Sequence, residues 1–333
     1  MNDPVHQVRP LSAVERAVVR IIRDPRDLPF VWLLAAISIT VLPLAALLVF
    51  QTAPSWPVAL TYLFLVIGCF NLPTLVMYHN VTHRPMFKRQ YRFLTHYMNW
   101  VLGPLFGLFP NVYYAHHIAM HHVENNARRD LTSTIYYQRD SLFDFICYTG
   151  NFVLTIYGKL VFYLWRRKRF RLLRAMLFGE ACYLSIVAAT SWLNWKAALL
   201  VFVIPAIAAI IGLCAINWTE HAFVDVQNPA NIYRSAIICV NTAYNRLAFN
   251  DGYHLSHHVR PSLHWSEMPI DFAACRESYA REGAIIFEGL GYPSILMLLL
   301  TRRYRVLARH CLDVRPEQEI VATLRQRTAR CAS

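Results

Sequence analysis

Two stretches of 21 residues, 30–50 and 58–78, contain no Asp, Glu, Lys or Arg. Two more, 176–195 and 197–216, follow later and carry one charge between them, Glu180. A bilayer core about 30 Å thick is crossed by roughly 20 apolar residues in a helix. In hydrocarbon the backbone must satisfy its own polar groups, so such runs are helices. Composition agrees: the chain is 56% hydrophobic and 16% charged, against about 25% charged in a soluble domain. Disorder is excluded, because disordered chains are charged and poor in apolar residues. The pattern predicts an all-α membrane protein with four transmembrane helices.

The charges orient the spans. The link 51–57 has no Lys or Arg, and the third-to-fourth turn has only Lys196. The amino-terminal segment carries Arg9, Arg16, Arg20, Arg23 and Arg26. The middle carries Arg84, Lys88, Arg89 and Arg92, then Arg166, Arg167, Lys168, Arg169, Arg171 and Arg174. Arg302, Arg303, Arg305 and Arg309 follow the last apolar stretch. The positive-inside rule places both termini and the middle segment in the cytoplasm. The net charge of +13 is then read as topology and attraction to anionic lipid rather than nucleic-acid binding. The predicted organisation is a cytoplasmic segment over 1–29, a membrane domain over 30–300 and a basic cytoplasmic tail over 301–333. The first apolar run begins near residue 30 with no small-residue cleavage site after it, so no cleavable signal peptide is expected.

Three further apolar stretches, 93–110, 142–165 and 284–300, lie in the segments assigned to the cytoplasm. They read as interfacial or re-entrant helices. The alternative that 142–165 is a true span stays open. Eight scattered cysteines with no C-x-x-C pair form neither a disulfide framework nor a zinc ribbon and point to a reduced, cytosol-facing site.

Ten of the fourteen histidines fall in four short strings. His79-Asn-Val-Thr-His83 follows the second span. His116-His117-Ile-Ala-Met-His121-His122 sits in the middle segment. Asn217-Trp-Thr-Glu-His221 follows the fourth span, and His254-Leu-Ser-His257-His258 lies nearer the carboxyl end. Each string uses i, i+3 or i, i+4 spacing, which puts its members on one helix face. A single HxxxH pair is a weak signal. Four strings on one expected membrane side have no structural purpose that apolar residues would not serve better, so they predict metal binding. About nine imidazoles overfill one site and suit two ions with four or five ligands each. Imidazole serves zinc, copper and iron alike. A c-type haem lacks its C-x-x-C-H, and Asn80 stands where a zinc protease has Glu.

The order HxxxH, HxxxHH, NxxxH, HxxHH resembles the membrane fatty-acid desaturase superfamily, histidine-box di-iron oxidases, over roughly residues 30–300. Asp251-Gly-Tyr-His254 through His258-Val-Arg-Pro-Ser is similar to that family's third box and its following proline. The resemblance implies four spans with a cytoplasmic histidine-rich di-iron cap and interfacial helices. It implies two irons held by His79, His83, His117, His121, His122, His221, His254, His257 and His258, with Asn217 close to one of them. The longer second box departs from the HxxHH of many desaturases and leaves His116 as ligand, neighbour or neither. That longer spacing also resembles alkane hydroxylases. The string from His116 to Asn126 is similar to the enzymes that decarboxylate free fatty acids to terminal alkenes.

The implied activity is O₂-dependent oxidation of a fatty-acyl chain, with C–H abstraction by a high-valent iron–oxo species. Desaturation is the leading expectation; oxidative decarboxylation to a 1-alkene and alkyl hydroxylation are the alternatives. Metal storage or transport without catalysis is disfavoured, because Glu180 alone is ionisable within the spans. Carboxylates that orient ligand imidazoles would come from Glu124, Asp130, Glu220, Asp225 and Asp251. Arg84, Arg128, Arg129 and Arg260 lie close in sequence to the strings and are candidates to clamp a substrate carboxylate. No haem, flavin or iron–sulfur motif is fused to the chain, so a separate donor (ferredoxin, rubredoxin or cytochrome, with its reductase) is expected. The basic run 166–174 is its expected dock or, equally, a lipid anchor.

Overall fold

The computed structural model describes residues 2–51, 55–228 and 231–331. Four of the described helical segments are long and apolar enough to cross a membrane: Pro25–Phe50, Trp56–His83, Leu142–Arg166 and Phe170–Glu220. The protein is an integral membrane protein. The last segment has 51 residues, about 75 Å if straight, which is more than twice a bilayer core. It is not straight. Asn194 leaves helical geometry at φ −158° and ψ 93°. Tyr183, before the break, donates to the carbonyl of Phe202, after it, at 3.2 Å, so the two limbs run side by side.

The chain forms two compact units, one made of Met1–His6, Ala119–Leu160 and Leu213–Ser333, the other of Gln7–Ile118 and Val161–Gly212. In the second unit, Ile37, Val41, Leu48, Ala59, Tyr62 and Val66 are buried. Tyr62 donates to the Val201 carbonyl at 3.0 Å; a phenol buried in apolar surroundings keeps a partner. Ser38 and Thr40 satisfy their hydroxyls on the carbonyls of Leu34 and Ala36, the usual solution inside a helix. Gly179 lets two segments touch: a Cβ there would fall 2.0 Å from the Pro110 carbonyl oxygen.

The apolar stretches outside the four expected spans take three different forms. Residues 93–110 are broken, with a short helix Arg92–Tyr97, a π-helical turn Met98–Leu102, a 3₁₀ turn Gly103–Phe106 and Gly107 in the left-handed region. Leu142–Arg166 is a single helix of 25 residues, as long as a span. Residues 284–300 split into a strand, β2 (Ile285–Glu288), and a helix, Tyr292–Leu300. Here β2 pairs in parallel with β1 (Ile237–Val240), Ile237 opposite Ile285, with the helix Met268–Arg281 between them in sequence. This small sheet was not expected in an all-α chain. Its strands are short and apolar, a pattern that periodicity does not separate from a helix. The link 51–57 contains Thr52, Ala53 and Pro54, which lie outside the described residues.

The first unit packs Ile238, Val240, Tyr253, Leu255, Phe272, Tyr279 and Ile286 into one core. Arg139, in the same unit, is fully buried. Its guanidinium donates to the carbonyls of Ala222, Thr134, Tyr137, Arg327 and Ala329. Its own backbone carbonyl accepts from the Trp218 indole. The carboxyl-terminal helix Glu317–Thr328 is therefore fastened to the residue after His221.

Candidate metal centre

The helix Asn71–His83 presents His79 and His83 one turn apart, with ring centroids 5.7 Å apart. His117 meets both, at 4.4 Å from His79 and 5.1 Å from His83, and the Nε2 atoms of His83 and His117 are 3.0 Å apart. Tyr113 stacks on His117 at 5.4 Å. These three histidines form one group in the second unit.

The second string is not a plain α-helix. Val112–His116 is α-helical, and His117–His121 is π-helical. Wider turns of this kind are rare and often mark functional sites. The string divides its members: His117 joins His79 and His83, whereas His121 and His122 belong to the first unit.

There, His121, His221, His254 and His258 place their ligand nitrogens within 4.8 Å of one another, all buried. His254 and His258, one turn apart on the helix His254–Val259, bring their Nε2 atoms to 2.9 Å. His257 Nε2 lies 3.1 Å from His122 Nε2. Metal–nitrogen bonds of about 2.0–2.1 Å put neighbouring ligand nitrogens about 3 Å apart or slightly more, so this spacing suits nitrogens that share a cation.

Two outer ring nitrogens are hydrogen-bonded, and a third lies near a carboxyl group. His121 Nδ1 is 2.7 Å from Asp130, and His254 Nδ1 is 3.1 Å from Glu220. His221 Nδ1 donates to the carbonyl of Ser235 at 2.7 Å. That bond fixes the tautomer and leaves His221 Nε2 as a lone-pair donor. This atom is buried and has no hydrogen-bond partner, a costly arrangement unless a cation uses it. Burial holds the His221 imidazole down to about 3 and so keeps it neutral, the form that ligates. Burial raises the Asp130 carboxyl, but His121 and the hydrogen bonds from His121 and Thr132 outweigh it and hold the group well below the usual carboxylate range.

The other expected residues are placed as follows. Asp251 accepts from the Tyr244 hydroxyl at 2.7 Å and groups with Glu220 and His254. Asp225 pairs with Arg234 at 2.9 Å and is in none of the metal-capable groups among the described residues. Asn217 spends its amide nitrogen on Tyr148 and on the Thr132 carbonyl, and His116 falls in neither histidine group. Arg84 pairs with Asp24 at 3.0 Å, and Arg260 pairs with Asp271. Arg128, Arg129 and Glu124 line a cavity of about 280 Å³ whose wall includes Ser235. Sequence reading missed Ser235, Tyr113 and Tyr148, because tyrosine and serine near histidine strings have no distinctive spacing.

The donor set therefore fits transition-metal ions: neutral imidazoles, carboxylates or a carbonyl behind three of them, and no cysteine in either group among the described residues. No curated protein matches the chain. The family model for fatty acid desaturases matches residues 54–289, more than two thirds of the sequence and all four histidine strings. The chain is a member of the fatty acid desaturase family and, with it, an oxidoreductase.

Proposed function

We propose that the protein is an O₂-dependent di-iron oxidase of a fatty-acyl chain, of the desaturase type. The observation that carries this reading is the buried group of four imidazoles whose ligand atoms lie within 4.8 Å of one another, in a chain with a second histidine group. Within the first unit, His121, His221, His254 and His258 would hold one iron; the candidate ligands for the other are His79, His83 and His117 in the second unit, and His122 and His257 in the first. When bound, two irons supply the oxidising power that removes hydrogen from an unactivated alkyl C–H bond. The protein's own residues prepare the site. Asp130 and the Ser235 carbonyl fix two imidazoles in the orientation ligation needs, and the Glu220 carboxyl lies beside a third. Burial of the rings keeps bulk water away. Electrons come from a separate ferredoxin, rubredoxin or cytochrome, and the run 166–174 is basic enough to steer an acidic one. The active side faces the cytoplasm, by the charge distribution.

Oxidative decarboxylation of a free fatty acid is the second reading, favoured by one observation. Of the four arginines considered for a carboxylate clamp, Arg128 and Arg129 line an open cavity, whereas Arg84 and Arg260 are engaged by Asp24 and Asp271. Labelled fatty acids fed to cells expressing the protein distinguish the two readings, with lipids and volatile hydrocarbons both analysed by mass spectrometry. Unsaturated acyl lipid supports desaturation, and a 1-alkene one carbon shorter supports decarboxylation. Active protein purified in mild detergent should carry close to two irons per chain. Active protein with one zinc and no iron would overturn the proposal.

A further inference from the structure

Residues 2–6 belong to the first unit, although the chain from Gln7 to Ile118 belongs to the second. They are bonded to the region around the last histidine string. Asp3 is 5% exposed, and both its carboxylate oxygens are used. Oδ2 accepts from the Asn241 backbone at 2.7 Å and from the Tyr253 hydroxyl at 2.7 Å; Oδ1 accepts from the Thr242 backbone at 3.1 Å. Beside it, the Asn2 backbone donates to Asn241 Oδ1 at 2.8 Å. The Pro4 carbonyl accepts from Asn250 Nδ2 at 2.7 Å.

These partners frame one structural turn. Asn241, Phe249 and Asn250 all have left-handed backbone, with φ of 55°, 44° and 60°, a conformation that costs non-glycine residues energy and needs outside support. Tyr253 is fully buried and ends the 3₁₀ turn Asp251–Tyr253, directly before the helix His254–Val259. The carboxylate thus ties the end of β1, the start of the helix Ala243–Leu247 and the residue before His254 to one point. Hydrogen bonds to an ionised acceptor are the strong ones.

We propose that Asp3 is a positioning residue for the last histidine string: through Tyr253 it sets the direction in which His254, His257 and His258 leave the turn. This rests on the reading of those histidines as metal ligands. The substitution Asp3→Asn removes the charge and, in either amide orientation, sets an NH₂ against a group that already donates. Tyr253→Phe removes only the hydroxyl and keeps the ring in its place. Leu324→Ala, in the carboxyl-terminal helix of the same unit and 1% exposed, is a control for general destabilisation.

The experiment is cobalt(II) titration of metal-depleted full-length protein in detergent, read by the ligand-field absorption bands, with thermal unfolding measured on the same samples. Wild type should bind cobalt with bands of nitrogen-ligated metal. Asp3→Asn and Tyr253→Phe should each weaken binding by about tenfold, the low end of what outer residues of metal sites contribute, and alter the bands. Leu324→Ala should lower the unfolding temperature and leave the bands unchanged. If Asp3→Asn does not fold, Tyr253→Phe decides alone. Variants with wild-type affinity and bands overturn the positioning role and leave the metal centre standing. Equal losses in Leu324→Ala also overturn it. A wild-type protein that binds no cobalt at its histidines overturns the metal reading itself.

Discussion

At the scale of single residues, the site depends on groups behind the imidazoles. Asp130 accepts from His121 Nδ1, from Thr132 twice and from the Asn126 backbone. Asp130→Asn keeps the size but loses the charge, and one of those donors then faces an amide NH₂. Metal affinity should fall by about 10–100-fold, measured as residual iron after dialysis against a graded chelator. Iron retention equal to wild type would show that the carboxylate does not tune His121. Arg139 tests a different link, because none of its partners is a ligand. Arg139→Met takes a donor from five carbonyls, of which the contacts to Ala222 and Thr134 are buried; at about 1–3 kcal/mol for a buried group left unsatisfied, the unfolding temperature should drop. An unchanged midpoint would mean that water reaches those carbonyls readily.

Elements are positioned by close backbone approach as much as by apolar burial, and glycines show where. A methyl at Gly179 would sit 2.0 Å from the Pro110 carbonyl oxygen, whereas one at Gly158 meets nothing within 4 Å. Both glycines are inside long helices, where alanine is otherwise favoured by about 1 kcal/mol. Gly158→Ala should therefore hold or raise thermal stability in detergent, and Gly179→Ala should lower it. Equal effects would show that the segments around Pro110 and Gly179 separate at little cost. The π-helical turn His117–His121 makes the same point for the site. A π-helical turn is wider than an α-helical one, so it changes the direction in which His121 and His122 leave it.

For the whole molecule, sidedness is the property that charge alone predicts. In a cysteine-free background, an impermeant thiol reagent added outside intact cells should modify a cysteine at Thr52 and spare one at Thr82. The reverse labelling would invert the proposed orientation and put the histidines outside.

Much of the architecture was legible in the chain. Apolar runs of some 20 residues leave the backbone no option but helix in a membrane, and i, i+4 histidines necessarily share a helix face. Those are local consequences of periodicity, so His79 with His83 and His254 with His258 could be read directly, as could the four strings as one class of chemistry. Tertiary structure alone decided the rest. The β1–β2 pair depends on partners nearly fifty residues apart. The identity of the groups behind the rings depends on which loop passes nearby: Asp130 and Glu220 reach histidines, while Asp225 is taken by Arg234. Asp3 meets Tyr253 across 250 positions of sequence. Spacing encodes what lies on one helix, because helix geometry is fixed by the backbone. It carries no record of which distant segment satisfies a buried polar group, since that is settled by packing and by the need to leave no such group unpaired.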